Sequence, residues 1–143
     1  LFAGPASRFL SRIARVFPVD PDRAPAASLA LGERVLARAK ILVWFPEGRR
    51  SRDGKLGLFQ PGAGLLLQHS GAPAVPVRIT GTFEALPVGR RLPRLRPLTI
   101  VFGKAKSLDE LESLGEGAGT PARVADGLRR AVAELGDGQR PAR

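Results

Sequence analysis

The sequence contains no cysteine, no methionine and no tyrosine, and it has one histidine and one tryptophan. Without cysteine, a disulfide scaffold and a zinc site with thiolate ligands are both excluded, and a lone histidine does not favour a transition-metal site. We therefore expect neither a metal ion nor a bound cofactor. The absence of methionine, with Leu1 at the first position, indicates a piece of a longer protein whose N-terminal part is missing.

Long apolar runs are also absent. Residues 56–77 carry no Asp, Glu, Lys or Arg, but three prolines and several glycines interrupt them, so they do not predict a membrane-spanning helix. The first twenty residues lack the basic cap and apolar run of a secretory signal, because charges are spread through them at Arg8, Arg12, Arg15 and Asp20. We expect the chain to be cytosolic or to lie on the face of a membrane.

Acidic side chains are scarce in the first three quarters of the chain. Over all 143 residues, 23 Lys and Arg stand against 13 Asp and Glu, for a net charge of +10. Residues 1–106 carry +12 and residues 107–143 carry −2. The cationic part should meet an anionic partner, and a phosphate ligand, an acidic lipid head group and a nucleic acid all fit that description.

The hydrophobic pattern predicts helices that alternate with strands. The expected helices are Pro5–Phe17, Ala24–Lys40, Gly62–Ser70 and Pro121–Leu135, and the expected strands are 41–45, Ala74–Thr80 and Leu98–Gly103. Five apolar residues at 41–45 are typical of a strand buried on both faces of a parallel sheet. Residues 107–120 are predicted to be a polar link. The alternation indicates an α/β fold with its site in loops that follow strands.

A charged loop follows the predicted strand at 41–45. This stretch reads Trp44-Phe45-Pro46-Glu47-Gly48-Arg49-Arg50-Ser51-Arg52-Asp53-Gly54. A glycine lets the backbone approach a ligand closely, and guanidinium groups bind phosphate through paired hydrogen bonds. The pattern indicates an anion site, and the alternative is a surface loop in which Glu47 only neutralises an arginine. Neither interpretation is favoured by the residues alone.

The block Phe45-Pro46-Glu47-Gly48-x-Arg50-Ser51 resembles the Phe-Pro-Glu-Gly-Thr-Arg-Ser block of the lysophosphatidic acid acyltransferase (1-acylglycerol-3-phosphate acyltransferase) family of glycerolipid acyltransferases. Ala74-Val75-Pro76-Val77 is similar to a second block of that family. The likeness extends over about residues 6–106. It implies a layered αβα fold with a mostly parallel sheet, of which residues 1–135 would be the C-terminal portion of one acyltransferase domain and 136–143 a disordered tail.

The resemblance also implies a substrate site. By analogy, Glu47 and Gly48 shape the acceptor site, Arg50 holds the acceptor phosphate and Val75-Pro76-Val77 supports the acyl end, while Arg49 replaces the family's usual threonine. The complete set of expected substrate-binding residues is Phe45, Pro46, Glu47, Gly48, Arg49, Arg50, Ser51, Val75, Pro76 and Val77.

The His-x-x-x-x-Asp block that supplies the family's general base is absent from this sequence. His69 does not replace it, because it follows the Phe-Pro-Glu-Gly block and the residue five positions later is Ala74. We therefore assign no catalytic residue to the chain, and we expect His69 to be structural or to face solvent. On its own the chain should be inactive.

The implied reaction is transfer of a fatty acyl group from acyl-CoA or acyl carrier protein to the free hydroxyl of a lysophospholipid, at an anionic membrane surface on the cytoplasmic face. One alternative is a basic nucleic-acid-binding module. Aromatic residues are only 6% of the chain and leave little to stack on bases, so we expect no nucleic-acid partner. Another alternative is a catalytically dead lipid-surface binder, which differs from the enzyme only in whether the histidine block exists upstream.

Overall fold

The computed structural model describes residues 25–90 and 92–137. Its elements, in chain order, are α1 (Pro25–Leu36), α2 (Pro61–Ser70), β1 (Val77–Thr80), α3 (Thr82–Ala85), β2 (Thr99–Phe102), α4 (Leu108–Leu114) and α5 (Thr120–Asp137). The expected helix Pro5–Phe17 and the end of the expected tail lie outside the described residues. No helix in the described ranges has both the length and the apolar character that crossing a bilayer requires.

The hydrophobic core lies where α5 packs against α2 and α4. Leu111 of α4 and Val124 of α5 are fully buried, and small side chains surround them, among them Ala63, Ala125 and Ala131. Two glycines allow the backbones to approach closely. A Cβ on Gly64 of α2 would overlap the carbonyl oxygen of Pro121, and one on Gly127 of α5 would overlap that of Leu111. These contacts fix the three helices against one another.

Helix α2 begins and ends where the sequence indicates. Pro61 occupies the first turn, where a missing N–H costs nothing because it would have no partner within the helix. Gly71 ends the helix in the left-handed conformation, with φ of 63°, and its N–H donates to the carbonyl of Leu67 at 2.9 Å. The prediction of a helix over 62–70 closed by Gly71 is thus confirmed.

Helix α4 lies inside the stretch that we expected to be a polar link, so that prediction is wrong. A capping box starts the helix: the Ser107 N–H donates to Glu110 Oε2 at 2.7 Å, and the Glu110 N–H donates to Ser107 Oγ at 3.3 Å. The first of these bonds holds the pKa of Glu110 below its usual value. Two backbone N–H groups at the start of the helix, which have no partner within it, are therefore satisfied by these two side-chain oxygens.

Ion pairs connect α4 and the following turn to α5. Glu112 of α4 pairs with the guanidinium of Arg123, which lowers the pKa of this carboxyl. Asp126 of α5 accepts from the Glu116 N–H at 3.1 Å and from Arg130 Nε at 2.8 Å. The first of these two bonds is the main reason that the pKa of Asp126 lies below its usual value. The Glu112–Arg123 pair and the Glu116–Asp126 bond thus tie α4 and the start of the turn to α5.

The two described strands are antiparallel, with Val77 opposite Phe102 and Thr80 opposite Thr99. An isolated bridge between Ala74 and Lys106 continues the pairing beyond the strand ends. A mostly parallel sheet is therefore not what the described residues form. A parallel connection needs a crossover element that spans the sheet. Residues 81–98 contain only the single turn of α3, so the chain returns beside β1 in the opposite direction.

Residues 41–45 are not a buried strand, which corrects a second expectation. The segment makes no strand pairing within the described ranges. Ile41, Val43 and Phe45 are 93%, 74% and 71% exposed. Five apolar residues favoured a strand buried on both faces, but only Leu42 and Trp44 are half-buried, and the alternate side chains have no strand or helix over them in the described ranges.

We expect Gly64→Ala to lower the free energy of unfolding by about 2 kcal/mol or more, because the added methyl group would push α2 away from α5. Gly62→Ala is the matched control in the same helix. Its Cβ would lie 4.0 Å from Leu29 Cδ2, so the higher helix propensity of alanine should stabilise the protein by up to about 1 kcal/mol. Urea unfolding measures both. Equal effects of the two substitutions would contradict the close packing at Gly64.

Candidate functional site

The charged loop predicted from the sequence is closed at its base by the backbone. The Gln60 N–H donates to the Pro46 carbonyl at 2.8 Å, and the Gly48 N–H donates to the Phe45 carbonyl at 3.1 Å. Helix α2 begins immediately after this closure. Residues 46–60, here called the arginine loop, are therefore anchored to the first turn of a core helix.

Glu47 closes the arginine loop a second time, from inside. Its Oε2 accepts a hydrogen bond from the Gly57 N–H at 2.8 Å, and the side chain is half-buried. Gly57 has room for this bond because it has no side chain: a Cβ there would lie 2.8 Å from the same oxygen. The sequence left open whether Glu47 lines a ligand site or neutralises an arginine. Its partner in the structure is the loop's own backbone.

A local turn orders the tip of the arginine loop. Asp53 Oδ1 accepts from the Lys55 N–H at 3.1 Å and from the Ser51 hydroxyl at 3.0 Å. The Lys55 bond, and then the Ser51 bond, hold the pKa of Asp53 below its usual value. Gly54, with φ of 78°, turns the chain in a conformation that other residues rarely adopt. The carboxylate of Asp53 is thus bound within the turn.

The arginines of this loop point to solvent. Arg49, Arg50 and Arg52 are exposed, and none forms an ion pair with a described residue. Gly48 precedes them with φ of 69°. Both carboxylates of the loop accept hydrogen bonds from backbone N–H groups, and the three guanidinium groups have no ion-pair partner among the described residues. The loop is therefore suited to binding an anion.

The other expected substrate-binding residues lie elsewhere. Pro76 is buried, and its carbonyl accepts from the Gly103 N–H at 2.9 Å. Val77 begins β1 opposite Phe102, while Val75 is half-exposed. The structure thus brings residues 45–51 together in one loop, and it places residues 75–77 at the edge of the small sheet, where their hydrogen bonds go to β2 and its flanks.

His69 faces solvent, as expected. Its Nδ1 lies 2.8 Å from Glu33 Oε1 of α1, and about half of its side chain is exposed. The neighbouring Ser70 hydroxyl accepts from the Ala72 N–H at 3.3 Å. The imidazole therefore links α1 to the end of α2.

Two contacts of the arginine loop were missed by the sequence analysis. One is the Gly57 N–H that binds Glu47, and the other is Phe83 of α3, which packs against Gly54 so closely that a Cβ there would lie 3.1 Å from the ring. Glycine at both positions was the available signal, since each backbone is approached by a side chain. Within the described ranges, no three His, Asp or Glu side chains gather as metal ligands would.

Comparison with known proteins gives one family. The profile of a family described as "Acyltransferase" matches residues 1–80. The chain is 46% identical over 55 residues to the chloroplastic 1-acyl-sn-glycerol-3-phosphate acyltransferase BAT2 of Brassica napus. These 55 residues are 38% of this chain and 16% of that protein. It is 35% identical over 96 residues to the 1-acyl-sn-glycerol-3-phosphate acyltransferase of Limnanthes douglasii, covering 65% of this chain and 34% of that protein.

A third relative, the 1-acyl-sn-glycerol-3-phosphate acyltransferase of Chlamydomonas reinhardtii, is 37% identical over 83 residues, which are 54% of this chain and 25% of that protein. The chain thus spans between about a sixth and a third of the length of these curated relatives. No solved structure matches significantly.

We expect Glu47→Ala to open the arginine loop, because the Gly57 N–H would lose its acceptor. A hydrogen bond to a charged group contributes about 1.5 to 3 kcal/mol, so amide exchange at Gly57 should accelerate about ten- to a hundredfold. Glu47→Gln is the matched control, since its amide oxygen can still accept this bond. Unchanged exchange at Gly57 in Glu47→Ala would contradict the role assigned to the carboxylate.

Proposed function

Because this chain belongs to the acyltransferase family, we propose that it supplies the acceptor site of an enzyme that moves a fatty acyl group onto 1-acylglycerol-3-phosphate or a similar lysophospholipid. The names of the relatives support this acceptor. The donor is a thioester, either acyl-CoA or acyl carrier protein. The enzyme acts peripherally at the cytoplasmic face of a membrane.

The observation that carries the proposal is the charge balance of the arginine loop. Glu47 and Asp53 accept hydrogen bonds from backbone N–H groups, and neither forms an ion pair with the exposed Arg49 or Arg50. A phosphate monoester carries the geometry that a guanidinium binds through two parallel hydrogen bonds. Arg50 holds the acceptor phosphate, and Gly48 lets the backbone lie close beside it.

The reaction that this arrangement serves forms a C–O and an S–H bond and breaks a C–S and an O–H bond. The acceptor hydroxyl oxygen attacks the thioester carbonyl carbon, the C–O bond forms, the C–S bond breaks, and the thiol leaves with the proton that the hydroxyl gives up. The arginine loop contributes position: with the phosphate fixed, the hydroxyl is held at a defined distance from it. Residues 75–77 support the acyl end, and the general base comes from a His-x-x-x-x-Asp block that this sequence does not contain.

We expect Arg50→Ala, made in a protein that contains this chain together with a His-x-x-x-x-Asp block, to raise KM for 1-acylglycerol-3-phosphate about ten- to a hundredfold. The reason is the loss of a charge-assisted pair that contributes about 1.5 to 3 kcal/mol. KM for the acyl donor should stay unchanged, and so should both constants in Arg38→Ala, which removes an exposed arginine outside the loop. Equal effects of Arg50→Ala on the two substrates would refute the assigned role.

The 143-residue chain alone should not transfer acyl groups, since general base catalysis contributes about a hundred- to ten-thousandfold to such reactions and its base is not among these residues. A thioester assay with lysophosphatidate measures this. His69→Ala should make no difference, because that imidazole binds Glu33. Activity of the chain that disappears in His69→Ala would show that the base has been misassigned.

A further inference from the structure

The segment 86–98, here called the basic loop, joins α3 to β2 and is rich in leucine, arginine and proline, and most of its described residues are exposed. No Asp or Glu occurs between Ala85 and Leu108. Leu92 and Leu95 are 79% and 104% exposed, and Val88 and Leu98 are about half exposed. Covering such exposed aliphatic side chains with a partner lowers the free energy, because apolar surface is removed from water.

Arginines lie between these aliphatic side chains. Arg90, Arg94 and Arg96 are exposed, and none of them forms an ion pair with a described residue. The basic loop therefore presents apolar and cationic groups side by side, with no acidic group to neutralise them. The partner that complements such a surface is both anionic and apolar within a few ångströms.

Backbone hydrogen bonds, a close approach and prolines restrict the basic loop. The Arg94 N–H donates to the Ala85 carbonyl at 2.7 Å, and the Arg90 N–H donates to the Pro87 carbonyl at 3.2 Å. Gly81 approaches the Pro97 carbonyl so closely that a Cβ there would overlap it. Prolines at 87, 93 and 97 further restrict the backbone.

The basic loop also lies next to the arginine loop. Phe83 of α3, three residues before the basic loop begins, packs against Gly54 at the tip of the arginine loop. The start of the basic loop therefore lies close to the tip of the arginine loop.

We propose that the basic loop docks on the surface of a bilayer that contains anionic lipids. Leu92 and Leu95 enter the boundary between head groups and acyl chains, and the arginines bind lipid phosphates. Duplex nucleic acid is a poorer match, since aliphatic side chains gain little from its backbone and no aromatic residue of the loop is available to stack on bases. This contact rests on the proposed function in one respect. If the acceptor is a membrane lipid, the arginine loop can take it from the surface on which the basic loop docks.

The experiment measures co-sedimentation of the full 143-residue chain with vesicles of phosphatidylcholine alone and of phosphatidylcholine mixed with phosphatidylglycerol, at low and high salt. The chain should bind the anionic vesicles more tightly and lose most of that advantage at high salt. Each basic residue near an anionic surface contributes about a fivefold factor to binding. The pair Arg94→Gln and Arg96→Gln should therefore weaken it about thirtyfold, and Leu92→Ser with Leu95→Ser about tenfold.

Two matched controls separate the loop from the general charge and apolarity of the chain. Arg34→Gln with Arg38→Gln removes the same charge from exposed positions in and after α1. Ile41→Ser with Val43→Ser removes two exposed aliphatic side chains from another segment. Both control pairs should bind vesicles as the unchanged chain does, and circular dichroism should show that all four variants keep the helical content of the fold.

Equal weakening by the loop pairs and the control pairs would overturn the proposal, because binding would then reflect overall charge. No binding to either vesicle would also overturn it. Displacement from anionic vesicles by duplex DNA at equal salt would favour the nucleic-acid partner instead. Neither donor nor acceptor is present in this experiment, so its failure would leave the phosphate contact of Arg50 untouched.

Discussion

The position of the arginine loop depends on how closely α5 approaches α2. At Gly64 the two helices are in backbone contact through the carbonyl of Pro121, and van der Waals packing at that distance leaves little freedom for either helix to rotate or slide. The arginine loop ends at Gln60, directly before the first turn of α2, and the Gln60 N–H closes the loop onto Pro46. The core thus determines where the loop is held, and the loop determines where its guanidinium groups lie.

Within the arginine loop, the acidic residues have the opposite role from the one their charge suggests. A carboxylate near an arginine would be expected to neutralise it, yet Glu47 and Asp53 accept from the N–H groups of Gly57 and Lys55. Each carboxylate organises the backbone and forms no ion pair with the arginines of the loop. A loop with fewer acidic residues would carry more net positive charge but would lack this internal support.

Local signals allowed part of this structure to be predicted from the sequence. Pro61 and Gly71 mark the ends of α2 by their backbone restrictions, and the Phe-Pro-Glu-Gly block located the arginine loop. The capping pair of Ser107 and Glu110 was equally local, but the polar composition around it favoured a link. The bond from Gly57 to Glu47 could not be predicted, because it depends on the path of a whole loop. The antiparallel pairing of β1 and β2 likewise depends on how residues 81–98 return, which apolar periodicity does not report.

The extended segment at 41–45 has a consequence for how the chain behaves in concentrated solution. Its backbone N–H and C=O groups lack a strand partner within the described ranges. Ile41, Val43 and Phe45 occupy every second position, so their exposed side chains lie on one side of the segment. An uncovered edge of this kind is a template for β-pairing between copies, and the segment has no charge between Ile41 and Phe45 to oppose it. Aggregation of this chain should therefore begin at residues 41–45, and a lysine at position 43 would act as a gatekeeper against it.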